Sequence, residues 1–481
     1  MNPTSDFNML SSRQETYPTV IHLPRERRLN LLSLASLIFF TTSGGAFGLE
    51  PLVGIVGPGW AVVLIAVTPF VWSLPAALMA AELTALMPEE GGYYVWIREA
   101  FGPFWALQQS WWMMTISVVW MAMSPVLFVS YFTFFVSSVA RSADVTNIAG
   151  LALVRWFLAV LFISFGVALN LRGAREVGRS AKVGAYIVLG SFALLVSVWL
   201  KMGAVPSFVD FFRRDPVSGR EGALLLGLSY IIYNTSGWEN ASTYAGEVDE
   251  PRRNYPRALA IALLAMILCY LLPVIAGVSV TFDPAVWNSD AGWPVIAQRI
   301  GGHWLGTLLA AAGVVSTFGL FNASLLYVSR LPLVLARDGW LPQVFANLSQ
   351  GTAAPTMALV VFGAITGLFS ALSFGSLAVI QCVFYAASMT FEFLALLVLR
   401  FRRPHADRSF RVPGGWVGLA YVCLTPLAFA AVVLFASLRD WRSFGGQFLV
   451  VGLVLAIGGI LHYVRRGFAF RNNSMRLDLD R

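Results

Sequence analysis

Long uncharged runs dominate this chain, and its polar residues gather in short clusters between them. A helix needs about 20 mainly apolar residues to cross a hydrocarbon core. Runs of that length recur from Leu31 to about Val464. They predict twelve spanning helices, near residues 31–55, 59–86, 103–138, 151–170, 180–200, 223–246, 257–280, 304–336, 356–373, 375–399, 416–437 and 446–465. The chain reads as an all-α polytopic membrane protein, with a polar tail over 1–30, one membrane domain over 31–465 and a second tail over 466–481. The runs near 103–138 and 304–336 exceed what a bilayer requires, which predicts tilt or extension beyond it.

Two spans cannot be comfortable continuous helices. Span one contains Thr42-Ser43-Gly44-Gly45-Ala46-Phe47-Gly48, and span six contains Asn234-Thr235-Ser236-Gly237-Trp238. Glycine costs a helix interior about 1 kcal/mol against alanine. One break alone reads as a packing kink. Paired breaks in the two halves of a polytopic chain point instead to a transporter binding site, because open backbone at membrane depth must line a cavity or lie buried in protein. Half-helix ends offer N–H groups suited to a carboxylate and carbonyls suited to an ammonium group or another cation. Ser43, Gly44, Gly45, Asn234, Ser236 and Gly237 let a ligand approach that backbone. Phe47, Tyr233 and Trp238 flank the breaks, where an aromatic face either closes over a ligand or simply packs between helices.

Composition sharpens this picture. The chain is 57% hydrophobic and 12% charged, against roughly 25% charged in soluble domains. The net charge of +8 is scattered over short loops, which excludes a nucleic-acid face. With the N-terminus inside, 24 of the 33 Lys and Arg fall on the inner side, so both termini are expected in the cytoplasm and the chain in the plasma (inner) membrane. A faint repeat accompanies the breaks. Thr42-Ser43-Gly44 recurs as Thr235-Ser236-Gly237, and Trp96–Gly102 aligns with Ile296–Gly302 at a similar offset near 200. Five spans per copy, an odd number, would turn the second copy upside down. The repeats then cover about 31–200 and 223–400, with extra helices at 416–437 and 446–465.

Acids inside spans are expensive and mark a pathway, a proton relay or a partner. Glu50 follows the first break, Glu82 lies near the inner end of span two, and Glu239 follows Trp238. Glu392 precedes the basic cluster at Arg400 by eight residues, about 12 Å at helical rise. Each reads either as a functional carboxyl or as a salt-bridged residue near a helix end. Glu239, Glu82 and Glu392 are the candidate proton carriers. The three cysteines and four histidines have no metal-ligand spacing, and no phosphate-binding loop or nucleophile–base pattern appears. Metal, cofactor and enzymatic chemistry are therefore not expected.

Taken together, these segments resemble the amino acid–polyamine–organocation transporter superfamily. The resemblance rests on Ser43–Glu50, Pro69–Pro75, Ala81-Glu82-Leu83, Pro88–Trp96, Gly102–Trp105 with Gln108-Gln109, Gly237–Asn240, and Ala245–Val248 leading to Pro251-Arg252-Arg253. It extends from about residue 30 to 465 and looks most like the polyamine uptake permease and L-type amino acid transporter branch. It implies the leucine-transporter-type fold, a five-plus-five inverted repeat with broken helices 1 and 6. It also implies alternating access by a secondary carrier, often proton-coupled, with Tyr233 as an aromatic gate.

Polyamine members carry an acid after the proline that is Pro75 here and another in span three; this chain has Ala76 and Trp120 at those places. Ser329-Arg330 and Ala336–Pro342 look more like amino acid permeases. The expectation is a bilayer-embedded carrier of amino acids or polyamines with a tilt toward cations, working with a proton or an exchanged substrate. Its expected binding residues are Ser43, Gly44, Gly45, Phe47, Glu50, Trp120, Tyr233, Asn234, Ser236, Gly237, Trp238, Glu239 and Glu392. A neutral or broad-range amino acid exchanger, or a non-transporting nutrient sensor on a carrier fold, are the alternatives.

Overall fold

A computed structural model describes residues 24–141, 151–203, 212, 220–289, 291–370, 374–439, 456–460 and 463. Most of the expected N-terminal tail, most of the twelfth span and the whole C-terminal tail lie outside the described residues. Helices stand at eleven of the twelve predicted positions. Among the described residues, seven helices are long and apolar enough by themselves to cross a membrane, and three shorter apolar helices accompany them.

Span one starts at Asn30, whose side chain accepts the Ser33 N–H at 2.9 Å and caps α1 (Leu31–Thr42). The helix stops where the N–H groups of Ser43 and Gly44 both turn back to the Phe39 carbonyl. Gly44, Gly45 and Gly48 follow with φ of 64°, 99° and 88°, a region that glycine alone enters without strain. The chain resumes as α2 (Glu50–Val56). Span two is α3 (Pro58–Thr68) and α4 (Leu74–Leu86), joined through a π turn over Pro69–Ser73 that the sequence reading did not anticipate. Its cause is Pro69 and Pro75, which remove hydrogen bonds from the ladder.

The amphipathic α5 (Tyr93–Phe101) ends at Gly102 (φ 92°) and opens α6 (Pro103–Ala140). Next come α7 (Ala152–Asn170) and α8 (Ala174–Met202). Span six is α9 (Arg220–Asn234), a break through Gly237 (φ 101°) and a 3-10 turn over Asn240–Glu247. It leads to α10 (Pro251–Val280), the short α11 (Pro284–Trp287), α12 (Gly292–Gly301) and α13 (His303–Val328). Past Ser329 the eighth span continues as α14 (Arg330–Arg337). The last described helices are α15 (Thr356–Phe369), α16 (Phe374–Arg402) and α17 (Gly415–Arg439).

The repeat is visible in matching parts. Both α5 and α12 are short amphipathic helices that end on a left-handed glycine and open a long span, with Gly302 (φ 82°) the counterpart of Gly102. Those long spans, α6 and α13, pack against each other. The two broken spans lie side by side and antiparallel. Leu29, just before α1, exchanges backbone hydrogen bonds with Glu247 and Asp249 at the end of the 3-10 turn, both 2.9 Å. Beyond the breaks, α2 packs on α9. Around this centre the outer faces of α7 and α10 present Leu153, Phe157, Phe165, Leu264 and Leu268, apolar and exposed as a lipid-facing surface requires.

Candidate functional site

The two breaks meet in the middle of the bundle. A side-chain carbon on Gly237 would sit 2.5 Å from the Thr41 carbonyl oxygen, so glycine is required there for close approach as well as for its φ. Several groups of the broken backbone are satisfied from within. Ser316 donates to the Gly44 carbonyl at 2.5 Å, Trp293 Nε1 to Ala46 at 2.7 Å, Tyr270 to Asn234 at 2.5 Å and Trp238 Nε1 to Thr235 at 2.8 Å. Ser43 Oγ accepts the Gly45 N–H, and Ser236 Oγ donates back to Ile232. The Gly237 N–H donates to the Tyr385 hydroxyl at 2.7 Å.

Four acids from the sequence fall into three environments. Glu82 on α4 is held bidentately by Arg400 at the end of α16, with Arg408 at 3.3 Å and the Val412 N–H at 2.8 Å. It is an anchor between spans two and ten, remote in character from an open carboxyl. Glu50 is 1% exposed, and both its oxygens are occupied by neutral donors. Oε2 takes the Gly48 N–H at 2.7 Å, and Oε1 takes the Tyr131 hydroxyl at 2.7 Å and the Trp293 N–H at 3.4 Å.

Glu239 and Glu392 form the third environment. Both are fully buried, and each lies within electrostatic reach of the other and of the Tyr93 hydroxyl. Glu239 Oε2 accepts from Tyr385 at 2.9 Å, and Glu392 Oε1 accepts from Gln109 Nε2 at 2.8 Å. Among the described residues no Arg or Lys pairs with either acid. Glu239 Oε1, Glu392 Oε2, Gln109 Oε1 and Asn240 Oδ1 have no hydrogen-bond partner. This acceptor-rich nest is built by α6, α16 and the second break. Buried carboxylates are ordinarily paired, and these two each keep an oxygen open.

The aromatics separate into two groups. Tyr233 and Trp120 pack with ring centroids 4.4 Å apart and planes tilted by 31°, and Tyr233 also donates to Met123 Sδ. They are half-buried and bridge α9 to α6. Phe47 lies instead between Tyr131 (5.1 Å) and Phe192 (4.8 Å), beside Glu50. Trp238 is fully buried behind the second break. Reading the sequence missed Tyr385, Gln109, Tyr131 and Trp293. Gln109 was within reach, since it stands in one of the segments that carry the family resemblance. The other three are ordinary aromatics in a chain that is 14% aromatic.

One more acid lies at the Arg-rich end, outside the spans. Glu90 meets Arg337 of α14 at 3.3 Å. Burial, with the nearby Glu247 charge, pushes its carboxyl up to about 8. Arg330 pairs with Glu247 at 2.8 Å in the same cluster.

Comparison with known proteins gives the family. Residues 29–458 match the family model of amino acid permeases. Polyamine transporter RMV1 of Arabidopsis thaliana is 32% identical over 433 residues, covering 89% of this chain and 84% of that protein. Polyamine transporter PUT1 of Oryza sativa subsp. japonica is 34% identical over 438 residues, covering 89% and 78%. The b(0,+)-type amino acid transporter 1 of Mus musculus is more distant, 25% identical over 406 residues, covering 81% and 79%. With most of its length inside that family model, this multi-pass membrane protein belongs to the amino acid permease family.

Proposed function

We propose that the chain is a secondary active transporter that moves amines, polyamines before amino acids, by alternating access. The observation that carries this reading is the nest of Glu239 and Glu392. Two fully buried carboxylates each keep an oxygen without a partner, beside the meeting point of two antiparallel broken helices. A buried ammonium group would satisfy both, and the relatives named as polyamine transporters support that choice of ligand.

In this reading Glu239 and Glu392 bind the ammonium or carry a coupling proton, and Gln109 and Tyr385 orient them. Ser43, Gly44, Gly45, Asn234, Ser236 and Gly237 form the pivoting backbone, and Tyr233 with Trp120 closes over the occupied site. Glu82 holds the bundle together while the site changes access. We place the protein in the plasma membrane with both termini in the cytoplasm, on the basic-residue asymmetry of the sequence.

Uptake of labelled putrescine, arginine and leucine into proteoliposomes, with and without a proton gradient, tests the reading. Saturable putrescine flux that rises with the gradient is expected. Glu392→Gln should abolish putrescine flux. Absence of saturable flux for every amine and amino acid would sink the proposal, and leucine flux alone would favour the neutral exchanger.

A further inference from the structure

Glu50 is a buried acid that the nest does not use. Its carboxylate is enclosed by Phe47, Tyr131 and Trp293, and it is bonded to three donors drawn from three elements: Gly48 in the first break, Tyr131 on α6 and Trp293 on α12. Among the described residues no positive side chain pairs with it. Trp293 reinforces the enclosure by donating Nε1 to the Ala46 carbonyl at 2.7 Å, so α12 grips the break and its acid together. Phe192 packs on both Phe47 (4.8 Å) and Trp293 (5.3 Å), and the aromatic wall keeps water away from the charge.

A substrate carboxylate needs N–H or O–H donors. Around the breaks the N–H groups of all four glycines are filled by the chain itself. The Gly44 N–H goes to the Phe39 carbonyl, Gly45 to Ser43 Oγ, Gly48 to Glu50 and Gly237 to Tyr385. The atoms left without partners in the nest are four acceptors, Glu239 Oε1, Glu392 Oε2, Gln109 Oε1 and Asn240 Oδ1, and one hydroxyl, that of Tyr93. Acceptors outnumber donors there, which suits ammonium better than a carboxylate.

We propose that Glu50 is a resident carboxylate that occupies the donors gathered at the end of the first break, from Gly48, Tyr131 and Trp293, and that it thereby makes the carrier select amines lacking a carboxylate over α-amino acids that are otherwise identical. The inference rests on the carrier reading above and adds the residue that sets its specificity. Glu50 acts by occupancy, filling the donors, and by charge, repelling a second carboxylate in a site with little screening. It assigns Glu50 a role opposite to that of Glu239 and Glu392: it excludes one end of the wrong substrate instead of holding the right one.

Matched pairs of amines isolate this effect, because agmatine and arginine, or putrescine and ornithine, differ only by the carboxylate. Competition against labelled putrescine in proteoliposomes should show the decarboxylated member of each pair effective at concentrations about tenfold or more below its amino acid. Glu50→Ala frees three donors and should close that gap to within about threefold, mainly by improving arginine and ornithine. Added acetate, refilling the donors, should reopen it. Glu50→Gln keeps the side-chain volume without the charge and should give an intermediate ratio. If Glu50→Ala does not fold, the Gln variant decides alone: an unchanged ratio overturns the proposal.

Equal competition by both members of each pair in the wild type overturns it too, while leaving the carrier reading intact. So does a Glu50→Ala variant that weakens both members equally. Absence of amine flux in the wild type defeats the carrier reading first, and this inference with it.

Discussion

Tyr385→Phe removes one oxygen from the site and leaves the aromatic ring in place. That hydroxyl is a relay: it accepts the Gly237 N–H at 2.7 Å and donates to Glu239 Oε2 at 2.9 Å. Ring packing, including the tilted contact with Trp72 at 6.1 Å, is retained. Two fully buried groups lose their side-chain partner at once. Each unsatisfied group costs about 1–3 kcal/mol, and the charged one lies toward the upper end. The ligand-free protein should therefore lose about 2–5 kcal/mol of stability, after some relaxation of the break.

Bound substrate changes the balance. An ammonium group brings its own donors to Glu239 and replaces part of what the hydroxyl supplied. The variant should thus gain more stability from putrescine than the wild type does, by about 1 kcal/mol, a several-fold tighter apparent affinity. Unfolding of the purified protein in detergent, followed by tryptophan fluorescence with and without putrescine, measures both quantities. A variant as stable as the wild type when ligand-free would show that the relay does not form. A smaller response to putrescine would show that Glu239 is not where the amine binds.

Three further perturbations separate scaffold from site. Gly237→Ala combines a φ of 101° with a carbon 2.5 Å from the Thr41 carbonyl, so transport should be lost and stability should fall by about 2 kcal/mol or more on thermal unfolding. Glu82→Gln strands Arg400 in the interior and should cost about 3–5 kcal/mol, whereas adding Arg400→Met should restore more than half of the folded yield on size-exclusion chromatography. Glu90 holds its proton more tightly in the folded chain (about 8) than at its ordinary value of 4.5, so its contribution to stability falls as pH rises between those values. Glu90→Gln should flatten the pH dependence of unfolding over that window, and an unchanged slope would place the titration elsewhere.

The breaks were legible because their cause is local. Only glycine enters the backbone region found at Gly44, Gly45, Gly48 and Gly237 without strain, so the sequence marks where the helices stop. The Gly102 and Gly302 junctions were legible for the same reason, and they carried the repeat. Acids inside spans were also visible, but their partners were not. Arg400 reaches Glu82 across 318 residues, and Tyr131 reaches Glu50 across 81. No periodicity encodes such a pairing; it is set by how α4, α6 and α16 pack. The π turn at Pro69–Ser73 and the 3-10 form of Asn240–Glu247 stayed hidden too, since both depend on neighbours that take up the displaced hydrogen bonds.

Sorting the four acids by partner sets one pair apart from the other two. A carboxylate left short of donors inside a bundle costs about 1–3 kcal/mol for each unsatisfied oxygen. This chain has the means to avoid that penalty, and it does so twice. Two arginines and a backbone N–H surround Glu82, and three neutral donors surround Glu50. At Glu239 and Glu392 it supplies one side-chain donor each and leaves an oxygen open on both. The fold completes two shells and leaves the other two unfinished, in one nest beside the only two broken spans among the described residues. Each open oxygen on the two acids is an acceptor, so under the proposed carrier reading an ammonium group or a proton completes the nest.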